Sequence, residues 1–79
     1  HDVNVYPNPA RGRVTVEWVT EGGEWSVELL DVSGRVCESW NTHGDKLTID
    51  VSHLSRGAYF LRVTDSRSSA VRKIMLINQ

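Results

Sequence analysis

The sequence predicts an all-β domain, a seven-stranded antiparallel β-sandwich of Greek-key type. Seven short segments alternate apolar and polar residues, and turn residues separate them about every eight to twelve positions, with no helical segment between them. A chain of 79 residues allows one domain, residues 1–79. The strongest segment carries Tyr59, Leu61 and Val63 at period two after Gly57, so we expect a central strand with one buried face there.

Two prolines end the first predicted strand, residues 3–5. Each proline fixes its own φ and favours extended geometry in the residue before it, so Tyr6-Pro7-Asn8-Pro9 is expected to be a stiff, extended connection. Gly12 closes this turn. Residues 13–18 then alternate in character, as a half-buried strand does.

A hairpin is predicted next, with its loop at residues 21–24 and its return strand at residues 25–30. Trp18 and Trp25 share the inward phase of this hairpin, so we expect both in the core. Leu30 is an extra apolar residue at the outer edge.

The following turn is specified by Asp31 and Gly34. The Asp31 carboxylate can accept a hydrogen bond from the backbone two residues on, and Gly34 supplies a positive φ without steric penalty. Residues 36–40 form the fourth predicted strand, whose buried face the pattern does not decide. Trp40 is therefore the one tryptophan that could be exposed.

The second half of the chain contains the remaining strands. Ser52 is predicted to cap a single helical turn after the fifth strand. The position of Leu54 before Tyr59 suits a corner in which the tyrosine hydroxyl bonds the upstream backbone. The fifth, sixth and seventh predicted strands span residues 47–51, 59–63 and 70–77.

Charge divides the chain into two parts. Residues 1–53 hold four basic and nine acidic side chains, a net charge of −5, whereas residues 54–79 hold five basic and one acidic, a net charge of +4. We therefore expect one basic end or face. Nucleic-acid binding is not expected, because these basic residues are not interleaved with exposed aromatic side chains that could stack on bases.

No pattern predicts an active site, a metal site or a bound cofactor. His1, His43 and His53 lack metal-ligand spacing, and no paired carboxylates or Ser/His/Asp arrangement stands out, so neither an enzyme nor a small-molecule substrate is expected. Cys37 has no disulfide partner within the chain and is expected to be a packed thiol. Neither a membrane span nor a signal peptide is predicted, so any other export signal should lie outside these residues.

Four blocks of the chain resemble, in order and spacing, one family: the C-terminal sorting domain, type A, of type IX secretion cargo. The similarity covers almost the whole chain. The blocks are Val5-Tyr6-Pro7-Asn8-Pro9 with Gly12, Leu30-Asp31-Val32-Ser33-Gly34-Arg35-Val36, Leu54-Ser55-Arg56-Gly57-Ala58-Tyr59, and the Lys73-led apolar strand that follows.

The resemblance implies an immunoglobulin-like domain at the tail of a larger exported protein of Gram-negative bacteria. The parent would pass through the periplasm and then through the outer-membrane type IX translocon to the outer membrane, the cell surface or the medium. A surface sortase would usually remove the domain and attach the cargo to anionic lipopolysaccharide. The expected partners are therefore the translocon and the sortase, and the domain is a substrate of the sortase.

Two kinds of recognition feature follow. Basic side chains could meet an acidic receptor surface, and the last strand could present an open edge for strand addition or dimerisation. For the glycines of the four blocks, turn geometry alone is the favoured explanation. For Lys73 and the last strand, a structural role and recognition by a receptor both stay open as explanations. The recognition candidates are Arg35, Arg56, Arg72, Lys73, Ile74, Met75 and Leu76; the motif turn residues are Tyr6, Pro7, Asn8, Pro9, Gly12, Asp31, Gly34, Gly57 and Tyr59.

An alternative function is a retained surface-binding or signalling module of a larger exported protein. Such a module would contact protein or carbohydrate through Trp40 and the basic end.

Overall fold

The computed structural model describes residues 3–19 and 23–78, which form seven strands, and those residues contain no helix. Every pair of neighbouring strands is antiparallel, which confirms the predicted all-β class and strand count. His1 and residues 21 and 22 of the predicted loop at residues 21–24 lie outside the described residues. The strands are β1 (Val3–Tyr6), β2 (Arg13–Trp18), β3 (Trp25–Leu30), β4 (Val36–Thr42), β5 (Lys46–Asp50), β6 (Gly57–Thr64) and β7 (Ser69–Leu76).

The strands form two sheets, in the orders β1-β2-β5 and β4-β3-β6-β7. Both sheets contribute alternate side chains to one shared core, in a sandwich-like arrangement. β6 pairs with β3 on one side and β7 on the other, and its residues Tyr59, Leu61 and Val63 are buried, which confirms the predicted central strand.

Trp18 and Trp25 are buried in this core, as predicted. A buried indole needs a partner for its N–H group. Trp18 Nε1 donates to a carboxylate oxygen of Asp65 at 3.2 Å, and Trp25 Nε1 donates to the carbonyl of Gly44 at 2.7 Å. The two tryptophans therefore also tie loops to the sandwich.

Trp40 differs from the expectation of an exposed tryptophan. It pairs with Val27 on the core-facing phase of β4, is half-buried and packs against the core. Cys37 is also half-buried against the core, which confirms a packed thiol.

The predicted helical turn capped by Ser52 is wrong. The turn is held by Asp50, whose Oδ1 accepts hydrogen bonds from the Ser52 N–H at 2.8 Å and from its hydroxyl at 2.6 Å. Leu54 N donates to Val51 O at 3.1 Å, which closes one tight turn. The carboxylate before the turn reaches the backbone two residues on, so it takes the role assigned to the hydroxyl.

Candidate recognition site

The connection from β1 to β2 lies along the outer edge of β7. The chain bends at residues 7–9 instead of running extended, and the Tyr6–Pro7 and Asn8–Pro9 peptide bonds are both cis. Asn8 Oδ1 accepts from the backbone N of Met75 at 3.0 Å, and Asn8 Nδ2 donates to the carbonyl of Lys73 at 3.1 Å. One carboxamide thus pairs two edge groups of β7, as a neighbouring strand would.

Ala10 continues this contact along β7. Its N–H donates to the carbonyl of Met75 at 2.8 Å, and its carbonyl accepts from the N–H of Ile77 at 2.9 Å, forming a parallel bridge with Leu76. Ala10 is fully buried. The prediction that the last strand presents an open edge is therefore wrong for the part from the Lys73 carbonyl to Ile77, which is covered.

The other half of the β7 edge is open. Alternate residues of an antiparallel strand point their N–H and C=O groups to the same side. Because Met75 turns these groups away from β6, Val71 and Lys73 do so as well, and no strand of the described ranges is hydrogen-bonded to β7 on that side. The Val71 carbonyl accepts only from the exposed Arg72 Nη1, at 3.0 Å.

Asn78 ties the end of the described chain to two distant turns. Its Oδ1 accepts from the N–H of Gly12 at 3.0 Å, and its Nδ2 donates to the carbonyls of Val51 at 2.7 Å and Leu54 at 2.9 Å. The side chain is buried. Sequence reasoning missed this residue, because an asparagine beyond the last apolar position carries no local signal of partners 24 to 66 residues away.

Tyr6, at the start of the first block, bonds to the neighbouring strands. Its hydroxyl donates to Glu17 Oε2 at 2.8 Å, and Lys46 lies 3.4 Å from the same oxygen. The hydrogen bond to the Glu17 carboxylate raises the pKa of Tyr6, because it stabilises the protonated phenol.

The second block forms the predicted tight turn. Asp31 Oδ1 accepts from the N–H and hydroxyl of Ser33, at 2.9 and 2.6 Å, and from the N–H of Arg35 at 3.1 Å. These bonds, the Ser33 hydroxyl first, lower the pKa of Asp31. Gly34 has a φ of +90°, as predicted. The Arg35 guanidinium lies 3.2 Å from Asp31 and stays exposed.

The third block contains the predicted tyrosine corner. The Tyr59 hydroxyl donates to the carbonyl of Ser55, four residues upstream, at 2.8 Å. Gly57 between them has a φ of +144°, a region that favours glycine. The bond fixes the path of the chain into β6.

The recognition candidates divide by exposure. Arg35, Arg56, Arg72, Lys73 and Met75 are exposed. Ile74 and Leu76 are 0% and 1% exposed, because alternation along β7 points them into the core, so a receptor cannot contact them in the folded domain. Arg35 lies in the β3–β4 turn. Arg56 directly precedes Gly57, which pairs with Leu76 at the far end of β7. Arg72 and Lys73 adjoin the open edge and are therefore the two basic candidates that belong to the edge itself.

An apolar groove of about 220 Å³ lies beside that edge, on the outer face of the four-stranded sheet. Val71 and Val32, 52% and 73% exposed, form part of its lining, and Leu30 is buried against this face, not at an exposed edge. Sequence reasoning missed the groove. The apolar residues at outward positions of β3, β6 and β7 are the signal that could have found it. Its lining residues are Leu30, Asp31, Val32, Gly34, Phe60, Arg62 and Val71.

Three further observations concern metal binding, a surface pair and the membrane. In residues 3–19 and 23–78, no three His, Cys, Asp or Glu side chains are grouped as metal ligands would be. His53 Nε2 lies 2.7 Å from Glu38 Oε1, a pair at the surface. Nor does this part of the chain contain a helix that could cross a membrane.

The fold and these surfaces define a small β domain whose distinctive features lie at its surface: a half-open strand edge, an apolar groove and exposed basic side chains. Residues 4–78 match the model of the secretion system C-terminal sorting domain. The chain therefore belongs to the C-terminal sorting domains of type IX secretion, which confirms the resemblance of the four blocks. No curated protein matches the chain. As a sorting signal of this system, the domain acts with the type IX secretion machinery in export through the outer membrane to the cell surface or beyond.

Proposed function

We propose that this domain directs a larger cargo protein from the periplasm through the outer-membrane type IX translocon. A cell-surface sortase then cuts before the domain and attaches the cargo to anionic lipopolysaccharide. The family match over residues 4–78 is the observation that carries this proposal. In this role the domain is a substrate of the sortase and has no catalytic function of its own.

The signal is the folded surface. Asn8 and Asn78 join the first block to the last strand and to the turn before the third block, so all of these segments depend on one another. Exposed features of that surface, rather than the buried Ile74 and Leu76, are what the machinery contacts.

The immunoglobulin-like description is part of the proposal. The sheet orders β1-β2-β5 and β4-β3-β6-β7 support it, because the chain leaves one sheet and returns to it across the sandwich. The bond from Tyr59 to Ser55 supports it further, since a tyrosine corner recurs in such domains.

A reporter fusion tests the sorting role. Residues 1–79 are fused behind an inert folded reporter that carries a periplasmic signal peptide, in a type IX-competent strain. We expect reporter on the cell surface or in the medium, and periplasmic reporter in a translocon-deficient strain. Periplasmic retention of a fusion whose domain is folded and protease-resistant in the competent strain would contradict the proposal.

A retained binding module is the second candidate function, and the exposed groove beside Val71 is the observation that favours it. The half-buried position of Trp40 argues against the sugar-stacking version. Mass spectrometry of the mature surface protein separates the two, because a retained module keeps peptides from residues 3–78 and a processed signal loses them.

A further inference from the structure

We infer that the open half of the β7 edge binds an acidic, extended protein segment by strand addition, with Val71 at the centre of the contact. This inference rests on the proposed function, because it names the kind of partner that the secretion machinery would supply. The inferred partner is more specific than a general acidic receptor surface, because it pairs with one edge in one register and carries one side-chain pattern.

The backbone of β7 determines where a partner strand can pair. Val71 can exchange two hydrogen bonds with a residue opposite it once the exposed Arg72 side chain leaves the Val71 carbonyl, and the N–H of Lys73 can donate a third. Asn8 already holds the Lys73 carbonyl and the Met75 N–H, so the partner strand must stop at Lys73. Addition is antiparallel, the commoner orientation of paired strands.

Charge defines the partner. Arg72 and Lys73 are exposed, and neither makes a salt bridge within the described residues, whereas Arg62 is paired with Glu28 at 2.6 Å and Arg35 with Asp31 at 3.2 Å. In a paired strand, the residues opposite these two cations lie close enough for opposite charges to stabilise the pairing. Two copies of this chain would instead bring four cations together, which disfavours a homodimer at this edge.

The groove defines the remaining position. Val71 is both an edge residue and part of the groove lining, with Leu30, Phe60 and Val32. A partner residue opposite Val71 projects its side chain on the same outer face, where an apolar group continues the groove. The partner segment therefore follows the order acidic, acidic, apolar from its N-terminal side, opposite Lys73, Arg72 and Val71.

A peptide titration tests the inference without secretion. The probe is acetyl-Glu-Glu-Val-Thr-Val-amide, added to the isotopically labelled 79-residue chain and followed by NMR of the backbone amides. We expect saturable shifts centred on the amides of Val71 and Lys73, and binding of the Gln-Gln analogue that is weaker by about two- to thirtyfold. Absence of saturable shifts, shifts centred elsewhere, or equal binding of the two peptides would overturn the inference.

Variants of the edge give a matched comparison. Val71→Pro removes an N–H group that faces away from β6, a position where an edge strand tolerates proline, and should abolish peptide binding with the fold intact. Lys73→Glu should weaken binding at least about tenfold, whereas Arg56→Glu, with the same change of net charge away from this edge, should leave it within about twofold. Equal effects of the two charge reversals would overturn the inference.

The reporter fusion separates the two proposals. If the original fusion reaches the surface and the folded Val71→Pro fusion does not, both stand. If both fusions reach the surface equally, the edge inference fails and the sorting role stands. If the original fusion stays in the periplasm, the sorting role fails, and the peptide titration alone decides the edge.

Discussion

Asn8 Oδ1 lies 3.0 Å from the backbone N of Met75, which is 67 positions further along the chain. Through this bond and the bond from Asn8 Nδ2 to the Lys73 carbonyl, a side chain of the first block completes the edge of the last strand. The block that carries two prolines is thus a structural element of the terminal strand, and not only a connection between β1 and β2.

Replacing Asn8 with alanine should lower the free energy of unfolding by about 1–2 kcal/mol, because two hydrogen bonds to β7 are lost. Urea unfolding followed by tryptophan fluorescence measures the change. Asn8→Asp is the matched variant: it keeps an acceptor for Met75 but loses the donor to Lys73 and places a carboxylate against a carbonyl. An Asn8→Ala variant as stable as the original would show that solvent replaces both bonds at no cost.

Replacing Asn78 with alanine should cost more, about 2–4 kcal/mol, since the amide is buried and leaves three backbone groups without their partner. The same urea experiment applies. Asn4, exposed on β1, is the control, and Asn4→Ala should change stability by less than about 0.5 kcal/mol. Similar losses for the two variants would contradict the role given to Asn78.

Replacing Tyr59 with phenylalanine should destabilise the domain by about 1–1.5 kcal/mol, because the Ser55 carbonyl loses its donor. Tyr6→Phe provides a comparison at an exposed tyrosine, whose bond to Glu17 is replaced by water, and its loss should be smaller. Thermal unfolding of both variants by circular dichroism gives the order. A larger loss of stability in Tyr6→Phe than in Tyr59→Phe would show that the tyrosine corner does not fix the path of the chain into β6.

Stability should fall in acid through three turn carboxylates. Hydrogen bonds lower the pKa of Asp31 and Asp50, mainly from the Ser33 and Ser52 hydroxyls, and the Arg67 N–H lowers that of Asp65. Because each folded pKa lies below the unfolded value of about 3.9, the stabilisation is present above that pH and is lost as pH falls through the folded pKa.

Thermal unfolding between about pH 5 and pH 2 measures this effect. Asp31→Asn should be less stable than the original at pH 5, and the difference should shrink as pH falls, because both turns are then uncharged. A difference that stays constant over this range would show that ionisation of Asp31 does not contribute.

The strands could be predicted because one face of each sheet is buried, and burial leaves a two-residue alternation in the sequence. The buried face of β4 could not be predicted. The pairing of β3 with β4 shifts register between Leu29 and Leu30, so the alternation of β3 does not extend regularly to β4. The turns at Asp31 and Tyr59 could be predicted from contacts within four residues.

The covered half of the β7 edge could not be predicted, because Asn8 and Ala10 meet it from the other end of the chain. Nor could the position of Asn78. The local sequence indicates that asparagine favours turns, but it does not indicate which distant backbone groups the side chain bonds. The open half of the edge follows only from knowing which half is covered.

The contact between Asn8 and Met75 also makes the first block depend on the last strand. Without β7, the central strand β6 lacks one of its two neighbours, and the Asn8 side chain has no backbone groups to bond. A machinery that recognises only the finished shape therefore ignores every copy that is truncated before β7.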